Sequence, residues 1–238
     1  MKHFWKISLY IVIIFLLAGS CQQENNGTGP DNDNSKVENT YDVNANGIPK
    51  FIGTDYIEPD KISRISKFRS GIGHDYSDDF ESCRSMKHYF QPGNSQSAIN
   101  LYAPVSGTVM DLYEEWAGVQ IKIKPQGYPA FLIILFHVNI SDSIQTGDFI
   151  QEGQRLGTHI GSQTMSDIAI GVSTPEGWKL ISYFYVITEA VFQHYQARGL
   201  TSRDNAVISL EDRNADPLTC EGEEFENSGN LENWINFQ

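Results

Sequence analysis

Apolar residues fall into runs along the chain, and their spacing changes with position. In Gly118-Val119-Gln120-Ile121-Lys122-Ile123-Lys124, valine and isoleucine alternate with polar residues, which predicts a strand with one buried and one wetted face. Ala130 to Val138, AFLIILFHV, is apolar at both alternating sets of positions and predicts a central strand covered on both sides. Trp178 to Phe184, WKLISYF, reads as a further strand. Turn signals at Ser106-Gly107, Gln126-Gly127 and Thr146-Gly147-Asp148 separate these short runs, the pattern of an all-β barrel or sandwich. One segment departs from it. Thr188 to Arg198, TEAVFQHYQAR, sets Val191, Phe192 and Tyr195 at three- and four-residue spacing ahead of Gly199, which predicts a capped amphipathic helix. His194 on that helix reads as a surface or boundary residue. The acidic tail after Thr201 carries only scattered Leu210, Phe225, Trp234 and Phe237 and predicts an irregular strap. The fold expected over residues 51–238 is mainly β, a small twisted β-barrel or barrel-sandwich with one helix toward its C-terminal side and an irregular tail.

The first 50 residues follow other rules. Lys2 and Lys6 precede an apolar run from Ile7 to Leu17 that is too short to span a bilayer and reads as a secretory signal. It ends in Leu17-Ala18-Gly19-Ser20-Cys21, which resembles the lipobox of bacterial lipoproteins, although Ala18 stands where leucine is usual. That resemblance implies a signal peptide over residues 1–20 and lipid on Cys21; an ordinary signal peptide with a free Cys21 thiol is the alternative. Several acyl chains, at about 0.8 kcal/mol per buried methylene, make a durable membrane anchor. Gln22 after the cysteine resembles outer-membrane sorting signals. Residues 21–50 are poor in apolar groups and rich in Asn, Asp and Gly. They cannot bury enough surface to offset ordering entropy and read as a disordered tether, with a reach on the order of 25–30 Å.

The chain of 238 residues has a net charge of −13, and the signal run accounts for two of its lysines. So acidic a surface repels nucleic-acid phosphates, and no phosphate-cradling glycine motif is present, so no nucleic-acid partner is expected. With Cys21 assigned to lipid, Cys83 and Cys220 remain as a candidate disulfide in an oxidising compartment. Closing so long a loop is worth about 5 kcal/mol in the chain-entropy model. Two separate buried thiols are the alternative reading.

Two stretches carry a family likeness. Ala103-Pro104-Val105-Ser106-Gly107-Thr108-Val109 and Gly147-Asp148-Phe149-Ile150-Gln151-Glu152-Gly153-Gln154-Arg155-Leu156-Gly157 are similar to the A-P-x-x-G-x-V and G-D-x-V-x-x-G-Q-x-I-G phrases of LytM or lysostaphin-type zinc endopeptidases. A third, Gly73 to Phe80, GHDYSDDF, supplies His74 and Asp78 as a match to that family's H-x-x-x-D zinc ligands. The resemblance spans roughly His74 to Val172. It implies a small β-barrel and a cell-wall peptide substrate, and places His137 where the family has a catalytic histidine. Three protein ligands would leave a fourth zinc position open for an activated water.

The family's late H-x-H strand reads Ser166-Asp167-Ile168-Ala169-Ile170 here. Alternation puts Asp167 and Ala169 on one strand face, so the third metal ligand is a methyl group and the second catalytic imidazole a carboxylate. His74, Asp78 and Asp167, with or without His137 and with His159 nearby, form the conceivable rewired zinc set. Asp75, Asp79 and Glu81 lack the spacing of an EF-hand and read as solvated loop carboxylates. The expectation is therefore a lipid-anchored envelope protein with a vestigial His74–Asp78 pair, no cofactor, and a binding or regulatory role toward peptidoglycan or a wall hydrolase. The resemblance supports this, since some members of that family that have lost zinc ligands bind and activate other wall hydrolases. The alternative is an active zinc endopeptidase with a rewired ligand set.

Overall fold

The structure, a computed structural model, describes residues 39–93 and 98–237; the signal run, Cys21 and most of the tether lie outside the described residues. Ten strands occupy the first part of the domain: β1 Ile62–Ser66, β2 His88–Pro92, β3 Asn100–Tyr102, β4 Gly107–Glu114, β5 Val119–Pro125, β6 Phe131–Ile140, β7 Phe149–Ile150, β8 Arg155–His159, β9 Ser166–Thr174 and β10 Gly177–Ile181. Three more follow in the tail, β11 Cys220–Glu221, β12 Glu224–Phe225 and β13 Trp234–Asn236. The main sheet is antiparallel and runs β13-β1-β2-β9-β6-β5-β4-β7, with β10 also on β9 and β8 joining β6 to β3. The mainly β fold is as expected, but among the described residues this path branches and does not close into a barrel.

Side-chain alternation explains where the strands sit. On β5 Val119, Ile121 and Ile123 are buried and the residues between them are partly exposed, while β6 is buried on both faces over most of its length. Strand β9 is covered on both faces as well. Ile168, Ile170 and Val172 join the large core, whereas Ala169 joins a smaller cluster with Phe68, Met86, Ile134, Phe136 and Leu180. Gly171 permits this second layer, because a Cβ there would lie 1.8 Å from the Trp178 ring.

Register fixes which residues share a face. Ala169 pairs with Ile134, Ile134 with Lys122, and Lys122 with Asp111, a single row crossing β9, β6, β5 and β4. Along that row burial falls away. Ala169 and Ile134 are fully buried, whereas the Lys122 and Asp111 side chains are one-third to one-half exposed.

The cover over the β9 and β6 end of the row comes from outside the regular strands. Phe68, Tyr76 and Met86 from the segment between β1 and β2, and Val207 from the tail, pack on it. The Cys83–Cys220 disulfide ties that segment to the tail across 137 residues. The tail holds more regular structure than a strap: helix Leu210–Ala215 capped by Ser209, the β11–β12 hairpin, and β13 on the edge of β1. Sparse apolar spacing hid these elements, since each is stabilised by partners far away in sequence.

The predicted helix is present as Glu189–Gln196, with Thr188 capping the Val191 N–H and Gly199 following at φ 104°. The strand read through Phe184 stops at Ile181, because the Ser182 hydroxyl accepts from the Phe184 N–H and starts a short helix, Tyr183–Val186. At the other end, part of the segment read as tether lies on the domain. Tyr41 donates its N–H to Ser173 O and packs its ring 5.3 Å from Phe131, and Asp42 caps the turn Val43–Asn46.

Candidate functional site

The candidate residues sit in two places. His74 and Asp78 lie in the irregular segment between β1 and β2, while His137 and Asp167 lie in the sheet, on β6 and β9.

In the irregular segment, carboxylates serve the backbone. Asp78 accepts from the N–H groups of Phe80 and Glu81 through Oδ1, at 2.9 and 3.0 Å, and from Leu180 through Oδ2 at 2.9 Å. Asp75 accepts from Cys83 and Arg84 N–H, and Asp79 accepts from Trp178 N–H. Glu81 forms a nearly buried pair of ion contacts with Arg69 and Arg84, at 2.7 and 2.8 Å. Asp75, Asp79 and Glu81 were expected as solvated side chains; they are structural instead. A stretch with no ladder must satisfy its N–H groups locally, and Asp side chains do this well.

His74 does not hydrogen-bond with Asp78 or with His137, as a retained half-site would suggest. Its Nδ1 meets Asp75 O at 2.9 Å, and Glu223 lies 3.9 Å away. Asp78 is engaged by three amides, which is why the pair does not form.

In the sheet the candidates do meet. Asp167 is fully buried, its Oδ2 2.6 Å from the Lys87 ammonium and its Oδ1 3.5 Å from His137 Nε2. The Lys87–Asp167 contact is a buried ion pair. Three rings surround the same ammonium, Phe136 at 4.0 Å, Tyr76 at 4.9 Å and Tyr89 at 5.0 Å. Burial alone would pull the Lys87 pKa down, but the Asp167 carboxylate outweighs it, and the pKa is raised. Lys87 therefore stays charged.

His137 reaches this position through a bulge. The register between β5 and β6 shifts there, and His137 has φ 59°, a conformation costing on the order of 1 kcal/mol for a residue with a Cβ. Glu115 and Ala117, in the turn after β4, offset that cost. Glu115 Oε2 accepts from the His137 N–H at 3.4 Å, and Ala117 O accepts from Nδ1 at 2.9 Å. Burial raises the Glu115 pKa, with His137 opposing it. His159 is buried nearby on β8, and burial lowers its pKa.

Beside them His88 is buried and neutral, its pKa pulled down to about 4 by desolvation. Nδ1–H donates to Ser66 O and Nε2 accepts from the Ser182 hydroxyl, both at 2.8 Å.

Ala169 is buried beside Phe136 and Ile134 and offers no donor atom. Among the described residues no three His, Cys, Asp or Glu side chains are gathered where they could hold a metal ion, so the set His74, Asp78, Asp167 with His137 or His159 is not assembled. Lys87 and Glu115 are the site residues that sequence reasoning missed. Their signals were faint: a lysine inside the apolar run Met86-Lys87-His88-Tyr89-Phe90, and a carboxylate in a hairpin turn.

No family model matches the chain, and no curated protein matches it. Solved structures that are similar include Csd3 from Helicobacter pylori, at 12% identity and TM-score 0.43, over 62% of this chain and 41% of that one. A chain of the SpoIIQ–SpoIIIAH pore-forming complex gives 12% identity and TM-score 0.41, over 62% of this chain and 98% of that one. Lysostaphin in solution gives 12% identity and TM-score 0.33, over 64% of this chain and 61% of its own. The chain thus spans under half of Csd3 and under two thirds of lysostaphin.

Proposed function

We propose that this protein is a lipid-anchored component of the bacterial cell envelope, held through Cys21, whose LytM-type peptidase-like domain is non-catalytic. It acts as a binding or regulatory module for peptidoglycan or for a wall hydrolase, and outer-membrane placement follows from Gln22. The observation that carries the non-catalytic reading is the state of Asp167 and Ala169. Both are buried, and the carboxylate is already neutralised by Lys87 at 2.6 Å. A hydrolytic zinc centre needs three donor atoms and an open position reached by water and substrate. A methyl group and a sealed ion pair supply neither.

The test is metal content and hydrolysis measured on one preparation. The purified protein is expected to carry far less than one zinc per chain and to leave cell-wall peptides intact. About one zinc per chain, with cleavage abolished both by chelator and by His137→Ala, would establish the rewired endopeptidase instead. Anchoring is tested separately: Cys21→Ala is expected to release the protein from membranes, and membrane retention with normal processing would remove the lipid from the proposal.

A further inference from the structure

The β4–β5 hairpin displays apolar surface that the core does not use. Tyr113 and Trp116 are 61% and 77% exposed, and Met110 and Phe149 are exposed beside them on β4 and β7. The other exposed large apolar side chains, Ile48, Phe80 and Leu210, belong to separate segments. Single exposed side chains are ordinary, whereas several on one strand and its neighbours mark a surface that meets something.

The backbone beside them is also open. Strand β7 pairs with β4 only at Gly107 and Thr108, and backbone bonds with Asp148 and Gly147 end at Val109. From Met110 to Glu114 the side of β4 facing away from β5 meets no strand among the described residues. Such an edge accepts an added strand. Charge then selects the occupant. Asp111, Glu114 and Asp148 stand on or beside this edge. Lys122 pairs with Asp111 at 3.2 Å, Lys124 lies opposite Thr108 on β5, and Glu115 turns inward to His137. Glu114 and Asp148 are thus the carboxylates on this edge with no ion pair among the described residues. A second copy paired edge to edge would set carboxylates against carboxylates, which is unfavourable across strands. A strand with positive side chains has no such conflict.

We propose that the free edge of β4, with Tyr113 and Trp116 as anchors, docks an extended segment of a protein partner in which apolar residues alternate with Lys or Arg. The segment's backbone continues the sheet, its apolar side chains lie on the exposed rings, and its cations face Asp111 and Glu114. This rests on the binding-module reading and names the surface and the chemistry of the partner.

The experiment titrates the full chain with a synthetic peptide of alternating Val and Lys, and with its Val/Glu counterpart, followed by calorimetry and by amide exchange. The expected result is binding of the Val/Lys peptide alone, weakened by added salt, with new protection at residues 110–114. Tyr113→Ala with Trp116→Ala is expected to weaken binding about tenfold or more, and Glu114→Lys to weaken it at low salt. Equal binding of both peptides, unchanged binding by the double variant, or protection elsewhere would overturn the assignment. So would a dimer that forms through this edge in sedimentation, or binding of N-acetylglucosamine oligomers at Trp116 in place of peptide. Zinc-dependent wall-peptide cleavage by the same preparation would sink the non-catalytic reading while leaving the edge assignment standing.

Discussion

One face of the sheet has two ends with opposite character. At β9 and β6 it holds Asp167, Ala169, Ile134 and Phe136 under a sealed cover, and at β5 and β4 it opens onto Lys122, Asp111 and Tyr113. The strands are continuous from one end to the other, so the difference lies in what is laid on top. The covered end has the segment from Lys67 to Met86, fastened by carboxylate caps, by the Arg69–Glu81–Arg84 contacts and by Cys83–Cys220. The open end has only its hairpin turn. One continuous face is thus divided into a structural half and a surface half.

The largest test of this division falls on the covered end. Lys87→Met leaves the Asp167 charge buried without its partner, and denaturant unfolding is expected to show a loss of about 3–5 kcal/mol. Adding Asp167→Leu should return most of it, because a well-packed apolar pair commonly equals a buried ion pair. If the single variant were as stable as the wild type, the pair would not hold the covered half together.

A smaller effect comes from His88 under the same cover. Its pKa is lowered in the folded state to about 4, so the unfolded chain binds the extra proton between about pH 4 and pH 6.5. Stability from this group is therefore fully present above pH 6.5 and is lost as pH falls through that window, at up to about 1.4 kcal/mol per pH unit. In His88→Gln, which can keep both hydrogen bonds, denaturation across this window should show a slope shallower by about one proton. An unchanged slope would mean that the ring takes up its proton in the folded protein.

The smallest effect is expected at the open end. Tyr113→Ala should shift stability by no more than about 0.5 kcal/mol, as is usual for exposed positions without packing roles, and Trp116→Ala by no more than about 1 kcal/mol, because its ring also lies 5.7 Å from the His137 ring. A loss of several kcal/mol would show that these rings brace the hairpin, and would make the two ends alike.

What the sequence disclosed follows the range of the interactions concerned. Strands β5 and β6 and the helix Glu189–Gln196 were legible because alternation or helical spacing is a local property of the chain. The Cys83–Cys220 bond was legible by elimination. The pairing of Lys87 with Asp167 was not, since eighty residues separate them and nothing near either one signals the other. The GHDYSDDF stretch was legible in the wrong currency. Its carboxylates have the look of metal ligands or solvated charges, and they turn out to complete the hydrogen bonds of a segment without a ladder. Whether a carboxylate caps an amide or faces solvent depends on where Leu180 and Trp178 fall, a hundred residues onward, and β13 likewise depends on the distant edge of β1.

The disulfide also sets an order of events. Strands β2 to β10 all lie between Cys83 and Cys220. During vectorial synthesis residue 83 emerges long before residue 220, so it must wait as a thiol while nine strands are made. The native bond can close only after residue 220 is out. Until then the long-range pairings of a high-contact-order sheet form without that covalent brace. A nascent chain stalled before residue 220 is thus expected to present Cys83 to any passing oxidant or thiol, making mixed disulfides at this position a marker of incomplete biogenesis.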